Sequence, residues 1–182
     1  VIATWDGPAD LIEVSGGRAV VTSERHLTVF DVTDPKQPRL GGHYTFPEKV
    51  WGFELIDAVV YAPFAFFGLA LLDLSNIEPP SLLGSITTPG EAKGVGVYGT
   101  KALVADHVEG VDLIDLANPS EPELIGSYYL DGYARDVDAV GKIAYAVDSP
   151  TGVYAFDLSQ PGPPEPIAVV QSATAPTSVE SP

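Results

Sequence analysis

The chain has 182 residues, 45% of them hydrophobic, which is enough for a single domain with a substantial core. Its formal net charge is −16 with only nine lysines and arginines, and so acidic a surface argues against nucleic-acid binding. No apolar run is long enough to span a membrane, and without cysteine the chain forms no disulfides.

The composition also indicates an exported protein. The chain contains no methionine and few lysines, and it begins at Val1, which we interpret as the start of a mature or excised product. We therefore expect an extracellular or cell-surface location, with the periplasm as the alternative.

A repeat of 42 residues organises the chain. It is marked by the aspartates Asp31, Asp73, Asp115 and Asp157, each of which closes a similar apolar phrase. In the third copy the pattern predicts four strands, at 93–98, 101–105, 111–116 and 123–128, joined by turns rich in glycine and proline. Four short antiparallel strands in forty-odd residues predict a blade of an all-β β-propeller.

The copies divide the chain into segments of one β-propeller domain. In chain order these are an outer strand of a preceding blade (1–7), four blades (8–46, 47–88, 89–130 and 131–172) and the start of a further repeat or a tail (173–182). Because this gives five outer strands for four inner sets, we expect part of a larger propeller, or a ring completed by a partner chain. A four-bladed ring with a loose tail is the rival interpretation.

The third-strand endings resemble a known family, the LVIVD repeat. The phrases that carry the resemblance are Thr33-Asp34-Pro35, Ala117-Asn118-Pro119 and Ser159-Gln160-Pro161, whereas the second copy departs from the pattern with Asn76-Ile77. The resemblance implies a β-propeller of bacterial or archaeal secreted or surface proteins, and it brings no catalytic residues to transfer.

Comparison of the copies separates scaffold residues from candidate site residues. A residue present in every copy serves what every blade needs, so the four repeated aspartates are predicted to fix turns by accepting backbone N–H groups. The repeated outer-strand glycines, Gly42, Gly84 and Gly126, are predicted to mark a crowded strand.

Residues that differ between copies fall in two loop classes, one joining the second strand to the third and one joining the fourth to the next first strand. Successive strands reverse direction, so both classes are expected on one loop face. The candidates for a rim around the mouth of the central channel are Asp10, Trp51, Lys93, Arg135 and His107. Such a rim would suit a polar or anionic small molecule or a sugar. The alternative is a solvated rim with internal ion pairs, such as Arg135 with Asp131 or Asp136.

Two further groups stand out. Phe64, Phe66 and Phe67 occupy a loop that is polar in the other copies, and they are predicted either to pack internally or to contact a partner. Asp106 and Asp148 are candidates for a calcium site, although their spacing lacks the alternating aspartates of a dedicated calcium loop. No cofactor is therefore expected, with calcium as the alternative.

Three functions remain open at this stage. The first is a non-catalytic binding module that presents its loop face to a protein or small polar ligand. The second is a lyase or hydrolase acting on a sugar or small acid, with His107 or His26 as base and Arg135 and Lys93 holding the anion. The third is a structural subunit of a surface assembly. The expected partner is another protein or further blades of the same protein, with no nucleic acid and no membrane span.

Overall fold

The computed structural model describes residues 7–171, and these form sixteen strands and no helix. Blade 1 contains β1 (Leu11–Ser15), β2 (Arg18–Ser23), β3 (His26–Asp31) and β4 (Arg39–Thr45). Blade 2 contains β5 (Glu54–Ile56), β6 (Val59–Pro63), β7 (Leu69–Asp73) and β8 (Ser81–Ile86). Blade 3 contains β9 (Gly94–Tyr98), β10 (Lys101–Ala105), β11 (Val111–Asp115) and β12 (Glu123–Tyr128). Blade 4 contains β13 (Tyr133–Val140), β14 (Ile143–Ser149), β15 (Gly152–Asp157) and β16 (Pro166–Gln171).

Each blade is a four-stranded antiparallel sheet whose strands lie in chain order. The prediction of an all-β chain built from four such blades is confirmed, and the strands predicted for the third copy agree with β9 to β12 to within one residue at each end. In the described part of the chain, no helix is long and apolar enough to cross a membrane.

The repeated aspartates fix the turns that follow the third strands. Their carboxylates accept the backbone N–H two residues later, from Thr33 (2.9 Å), Ser75 (2.7 Å), Ala117 (2.8 Å) and Ser159 (3.0 Å). Hydrogen bonds from the side chain and backbone of Thr33 lower the pKa of Asp31, and those of Ser75 do the same for Asp73. The structural interpretation of these four residues is therefore confirmed by their hydrogen bonds.

Three apolar cores lie between the four blades. Val29 and Leu72 belong to the core between blades 1 and 2, and Leu71 and Val104 to the core between blades 2 and 3. The core between blades 3 and 4 is formed by side chains such as Leu113 and Phe156. Each blade therefore uses both faces of its sheet where it has two neighbours, as expected for stacked repeats.

The blades form an open arc. The first strands of neighbouring blades pack together in the pairs β1–β5, β5–β9 and β9–β13, and no comparable packing joins β13 back to β1. The expected incomplete ring is thus what the described residues form. Most of the predicted outer strand at 1–7, and the tail at 173–182, lie outside those residues.

The repeated glycines let a neighbouring blade approach the outer strand. A Cβ at Gly42 would lie 2.6 Å from the carbonyl oxygen of Ile77, and one at Gly84 would overlap the carbonyl oxygen of Pro119. A Cβ at Gly126 would lie 2.8 Å from Pro163. In each case the obstacle belongs to the turn after the third strand of the next blade, so the predicted crowding is confirmed at all three glycines.

Gly84→Ala tests this close approach. The added methyl group would have to displace backbone, so we expect the free energy of unfolding to fall by about 2–3 kcal/mol, as for an overpacked core. Urea unfolding followed by circular dichroism measures the change. The control is Ser85→Ala, at an exposed neighbour on the same strand, which should stay within about 0.5 kcal/mol of the wild type. Equal losses in the two variants would contradict the explanation.

Candidate functional site

The two variable loop classes are hydrogen-bonded to each other across the blade junctions. In each of the three junctions, a backbone N–H close to the start of the first strand donates to a carbonyl oxygen in the second-to-third loop of the preceding blade. The three bonds run from Val50 to Glu24 (2.9 Å), from Ala92 to Ala65 (2.9 Å) and from Ala134 to His107 (3.0 Å). All three acceptor residues have a left-handed backbone, with φ between 52° and 55°. We call this repeated contact the loop latch, and it brings both loop classes to one face.

Trp51 is the centre of one part of this loop face. The ammonium of Lys93 lies 3.6 Å from the centroid of a Trp51 ring, and that of Lys49 lies 4.5 Å from it, so both make cation–π contacts. Lys93 also forms an ion pair with Glu91 at 2.6 Å. Lys49 pairs with Glu24 at 3.6 Å. Trp51 itself is exposed, whereas the side chain of Lys93 is largely buried.

A second part of the loop face is built around Tyr133. The ring of His107 stacks on Tyr133 with centroids 5.1 Å apart, and the guanidinium of Arg135 lies 5.6 Å from the same Tyr133 ring. Among the described residues Arg135 forms no ion pair with Asp131 or Asp136, so the expected internal pairs are wrong, because the guanidinium is placed against the aromatic ring instead.

The predicted rim is therefore divided. Trp51 and Lys93 meet at the junction of blades 2 and 3, while His107 and Arg135 meet at Tyr133 between blades 3 and 4. Asp10 is engaged elsewhere, since its carboxylate accepts the backbone N–H of Glu24 at 3.1 Å. A ligand-binding role for these residues stays a prediction.

The three phenylalanines of the blade 2 loop have different environments. Phe64 is buried, with its ring 5.5 Å from that of Phe46 in the core between blades 1 and 2. Phe66 and Phe67 are 67% and 45% exposed, and Phe67 stacks on Phe64 at 5.6 Å. The prediction of internal packing thus holds for Phe64, whereas Phe66 and Phe67 form an exposed aromatic pair.

Asp106 and Asp148 tie loops together. The carboxylate of Asp106 accepts the hydroxyl of Thr88 at 2.7 Å and the backbone N–H of Gly90 at 2.5 Å. Asp148 accepts the N–H of Gly132 at 3.0 Å and the hydroxyl of Thr151. Within residues 7–171, no group of three or more His, Cys, Asp or Glu side chains is arranged to hold a metal ion. The calcium alternative therefore gains no support from the described residues.

Sequence reasoning missed a buried acid beside Asp106. Asp112 accepts a hydrogen bond from the hydroxyl of Ser127 on one oxygen, while its other oxygen is buried with no donor. Burial raises the pKa of Asp112 to about 7, and the nearby acidic groups Asp106 and Glu109 act in the same direction. A proton on Asp112 would allow it to donate to Asp106, because two ionised carboxylates offer acceptors only.

A second set of missed acids lies on the innermost strands. Glu13 on β1 accepts the N–H of Leu55 on β5 at 2.7 Å, and Glu54 on β5 accepts the N–H of Val97 on β9 at 2.7 Å. Each carboxylate thus bonds the backbone of the next blade, and we call this contact the inner bridge. Burial raises the pKa of Glu54 to about 7, with further contributions from Glu13 and Asp138.

The spacing of the acids could have revealed the inner bridge. Glu13, Glu54, Gly96 and Asp138 occupy the same register position, opposite Val20, Tyr61, Leu103 and Tyr145 of the second strands. Three of the four copies carry an acid at this position, and the third copy carries glycine. Aligning the four first strands with each other would have shown this recurring acid in the sequence.

The fold and its loop face are those of a repeat-built β-propeller module. A family model described as "LVIVD repeat" matches residues 6–45, 89–129 and 131–168, which together make up more than half of the chain. The chain belongs to the LVIVD-repeat family. The matched segments leave out the whole of blade 2, the copy in which Asn76-Ile77 departs from the repeat.

Two computationally designed proteins are among the solved structures with a similar fold. The crystal structure of the designed Ika4 protein superposes with a TM-score of 0.69 at 10% identity, covering 87% of this chain and 98% of that chain. The crystal structure of the designed Ika8 protein superposes with a TM-score of 0.68 at 10% identity. The superposition includes 82% of this chain and 45% of that chain. The four blades thus match slightly less than half of the longer structure. A comparison with curated protein sequences gave no match.

Glu54→Gln tests the charge of the inner bridge. The pKa of about 7 in the folded state lies above the ordinary 4.5, so the folded protein binds this proton more tightly than the unfolded chain does. The folded state therefore loses stability as the pH rises from about 4.5 to about 7, and the loss persists above that range. Glutamine keeps the acceptor oxygen and never ionises.

We expect Glu54→Gln to be more stable than the wild type at pH 8 by about 1–2 kcal/mol, after allowance for solvent screening. At pH 4 the two proteins should unfold at similar urea concentrations. Glu48→Gln, in an exposed loop, is the control and should stay within about 0.5 kcal/mol of the wild type at pH 8. A Gln variant that is less stable than the wild type at pH 8 would exclude a costly charge at this position.

Asp112→Asn tests the buried acid pair in the same way. Asparagine keeps the acceptor for Ser127 and adds an N–H that can donate to Asp106, without any charge. Since the folded-state pKa of Asp112 is raised, the variant should gain about 1–3 kcal/mol over the wild type at pH 8.5 and lose this advantage below pH 4. Asp112→Ala is the matched comparison, because it removes the acceptor and should destabilise at both pH values. Thermal unfolding measures these differences. If the difference in stability between the wild type and Asp112→Asn is the same at both pH values, the raised pKa of Asp112 is refuted.

Proposed function

We propose that the chain is a non-catalytic β-propeller binding module of an exported or cell-surface protein, presenting its loop face to a protein or small polar ligand. The observation that carries the proposal is the exposed pair Phe66 and Phe67. Exposed aromatic side chains grouped on a loop are typical of protein contact sites, where a few large residues supply most of the binding energy.

The loop that carries this pair is held in place before any partner binds. Its ends are closed by the bond from Phe64 N–H to Gly68 carbonyl at 2.9 Å, and the loop latch from Ala92 to Ala65 joins it to blade 3. Phe67 is also stacked on the buried ring of Phe64. A preorganised loop loses little conformational entropy on binding, which favours affinity.

The neighbouring Trp51 surface supports a small polar ligand as the other kind of partner. Its exposed ring offers a surface on which a sugar or another polar molecule can stack. The ammonium groups of Lys49 and Lys93 lie beside this ring and are paired with Glu24 at 3.6 Å and with Glu91 at 2.6 Å. A ligand at this surface would therefore meet ion pairs that can donate and accept hydrogen bonds.

Contacts within the loop face favour binding over the lyase or hydrolase alternative. His107, the proposed base, is stacked on Tyr133, and Lys93, proposed to hold an anion, is already paired with Glu91 at 2.6 Å. In the part of the chain that the structure describes, no carboxylate is hydrogen-bonded to the His107 ring to orient it as a general base. The low lysine content, with no cysteine or methionine, is the feature of the sequence that fits an exported protein.

Photo-cross-linking tests the contact directly. We would replace Phe66 with p-benzoylphenylalanine and, as the matched control, replace Val108, which occupies the same place in the blade 3 loop and is also exposed. In the cell-envelope and medium fractions of the producing cells, position 66 should give an adduct of discrete mass and position 108 should not. Unlabelled wild-type protein should compete, whereas a Phe66→Ala, Phe67→Ala variant should compete at least about tenfold less well. Equal adducts at both positions, or equal competition by both proteins, would reject the proposal.

A further inference from the structure

The two ends of the arc expose faces that are buried or partly buried in the other blades. On blade 4, Tyr145 and Val153 are 46% and 36% exposed. The residues at the same register positions in blades 1 and 3 are fully buried: Val20 and Leu27 in blade 1, Leu103 and Val111 in blade 3. The exposure of Tyr145 and Val153 therefore results from the lack of a following blade in the arc.

Blade 1 shows the complementary situation. Ile12 and Val14 on β1 are both 64% exposed. At these positions the other blades carry side chains that are buried or partly buried against a preceding blade: Phe53 and Leu55, Val95 and Val97, and Val137 and Ala139. The face of blade 1 is thus shaped to receive a blade, and nothing in the described arc covers it.

Polar partners for a further junction are also present at the two ends. Asp138 holds the position of Glu13 and Glu54. One of its carboxylate oxygens accepts the N–H of Ala139 at 2.8 Å, and the other could form the inner bridge to the backbone of Val14, the residue that matches Leu55 and Val97. Ala9 holds the position of the latch donors, and Ser149 that of the latch acceptors, although Ser149 lacks the left-handed backbone of Glu24, Ala65 and His107. The inner bridge is therefore the polar contact that the two ends are best matched to form.

Blades 1 and 3 carry a cation at the start of their second strands, and blades 2 and 4 do not. This alternation indicates which kind of blade would follow blade 4. Arg18 of blade 1 donates to the carbonyl of Leu74 in blade 2 at 3.0 Å, and Lys101 of blade 3 donates to that of Gln160 in blade 4 at 2.5 Å. Blades 2 and 4 carry the apolar Val59 and Ile143 at that position. Blade 4 is therefore built to be followed by a blade such as 1 or 3, just as blade 2 is.

We propose that two copies of this chain close one propeller ring head to tail, with blade 4 of each copy packed on blade 1 of the other. The contact continues the junctions already present within the chain, and the two-fold arrangement covers both open faces in a closed assembly. This surface is separate from the loop face, so it stands or falls independently of the proposed function.

Two features set the strength of the junction. Ala168 replaces the outer-strand glycine in blade 4, so the turn after β3 of the other copy must sit farther out than its counterparts do at Gly84 and Gly126. Each copy also carries a net charge of −16, and like charges repel over a distance that salt shortens. The dimer is therefore expected to dissociate reversibly on dilution and to become tighter as salt is added.

Sedimentation velocity on the 182-residue chain between about 1 and 100 μM tests the proposal over the usual range of reversible association. The expected species is a dimer of twice 19.1 kDa. Ile12→Asp and Tyr145→Asp each place a charge in both junctions and should weaken the dimer at least about 100-fold. Leu82→Asp is the control, because this position is exposed in interior blades too, as Leu124 shows, and its dimer should match that of the wild type.

Mixing the two variants separates the proposed geometry from a general loss of folding. In a mixed dimer, blade 4 of the Ile12→Asp copy packs on blade 1 of the Tyr145→Asp copy, and this junction carries no substitution. An equimolar mixture should therefore form dimers, with an affinity between that of either variant alone and that of the wild type. Unchanged circular dichroism would show that both variants are folded. A wild type that stays monomeric would assign the open faces to further blades of a longer chain and overturn the proposal. Open-ended polymers, or equal weakening by Leu82→Asp, would overturn it as well.

Discussion

Every level of this structure depends on one constraint, which is that a propeller blade has two apolar faces and cannot bury either by itself. The three cores between the four blades satisfy this constraint inside the arc. Two kinds of hydrogen bond between blades accompany those cores, the inner bridge at the channel and the loop latch on the loop face. At the periphery, the outer-strand glycines allow the turn of the next blade to approach closely. The loop face can carry exposed aromatic residues because its scaffold is stabilised by contacts that do not involve them.

The fold could be predicted from the sequence because the same residues recur at the same position in successive blades. Four aspartates at one spacing identified the turns, and three glycines at one spacing identified the crowded outer strand, since each position meets the same neighbours in every blade. A feature that recurs with the period is predictable from one chain alone. Gly96 shows the limit, because it breaks the series of inner acids, and the backbone N–H of Ala139 is bonded by Asp138 instead.

The details of the candidate site were less accessible, because they depend on which side of a short loop a residue faces. Phe64 and Phe66 are two residues apart, yet one is buried against Phe46 and the other is exposed. The predicted rim likewise became two clusters, since Tyr133, which the sequence did not single out, holds both His107 and Arg135. Asp112 was overlooked because its significance comes from Asp106, a neighbour across the sheet and not along the chain.

The loop latch has a consequence for how such a protein can diversify. Its donor and acceptor are both main-chain atoms, and the three acceptor residues, Glu24, Ala65 and His107, share a backbone conformation while having nothing in common chemically. Selection can therefore exchange the side chains at these loop tips without weakening the junction beneath them. Each blade offers a separately mutable position on a common frame, so new recognition chemistry can arise one blade at a time while the architecture is inherited unchanged.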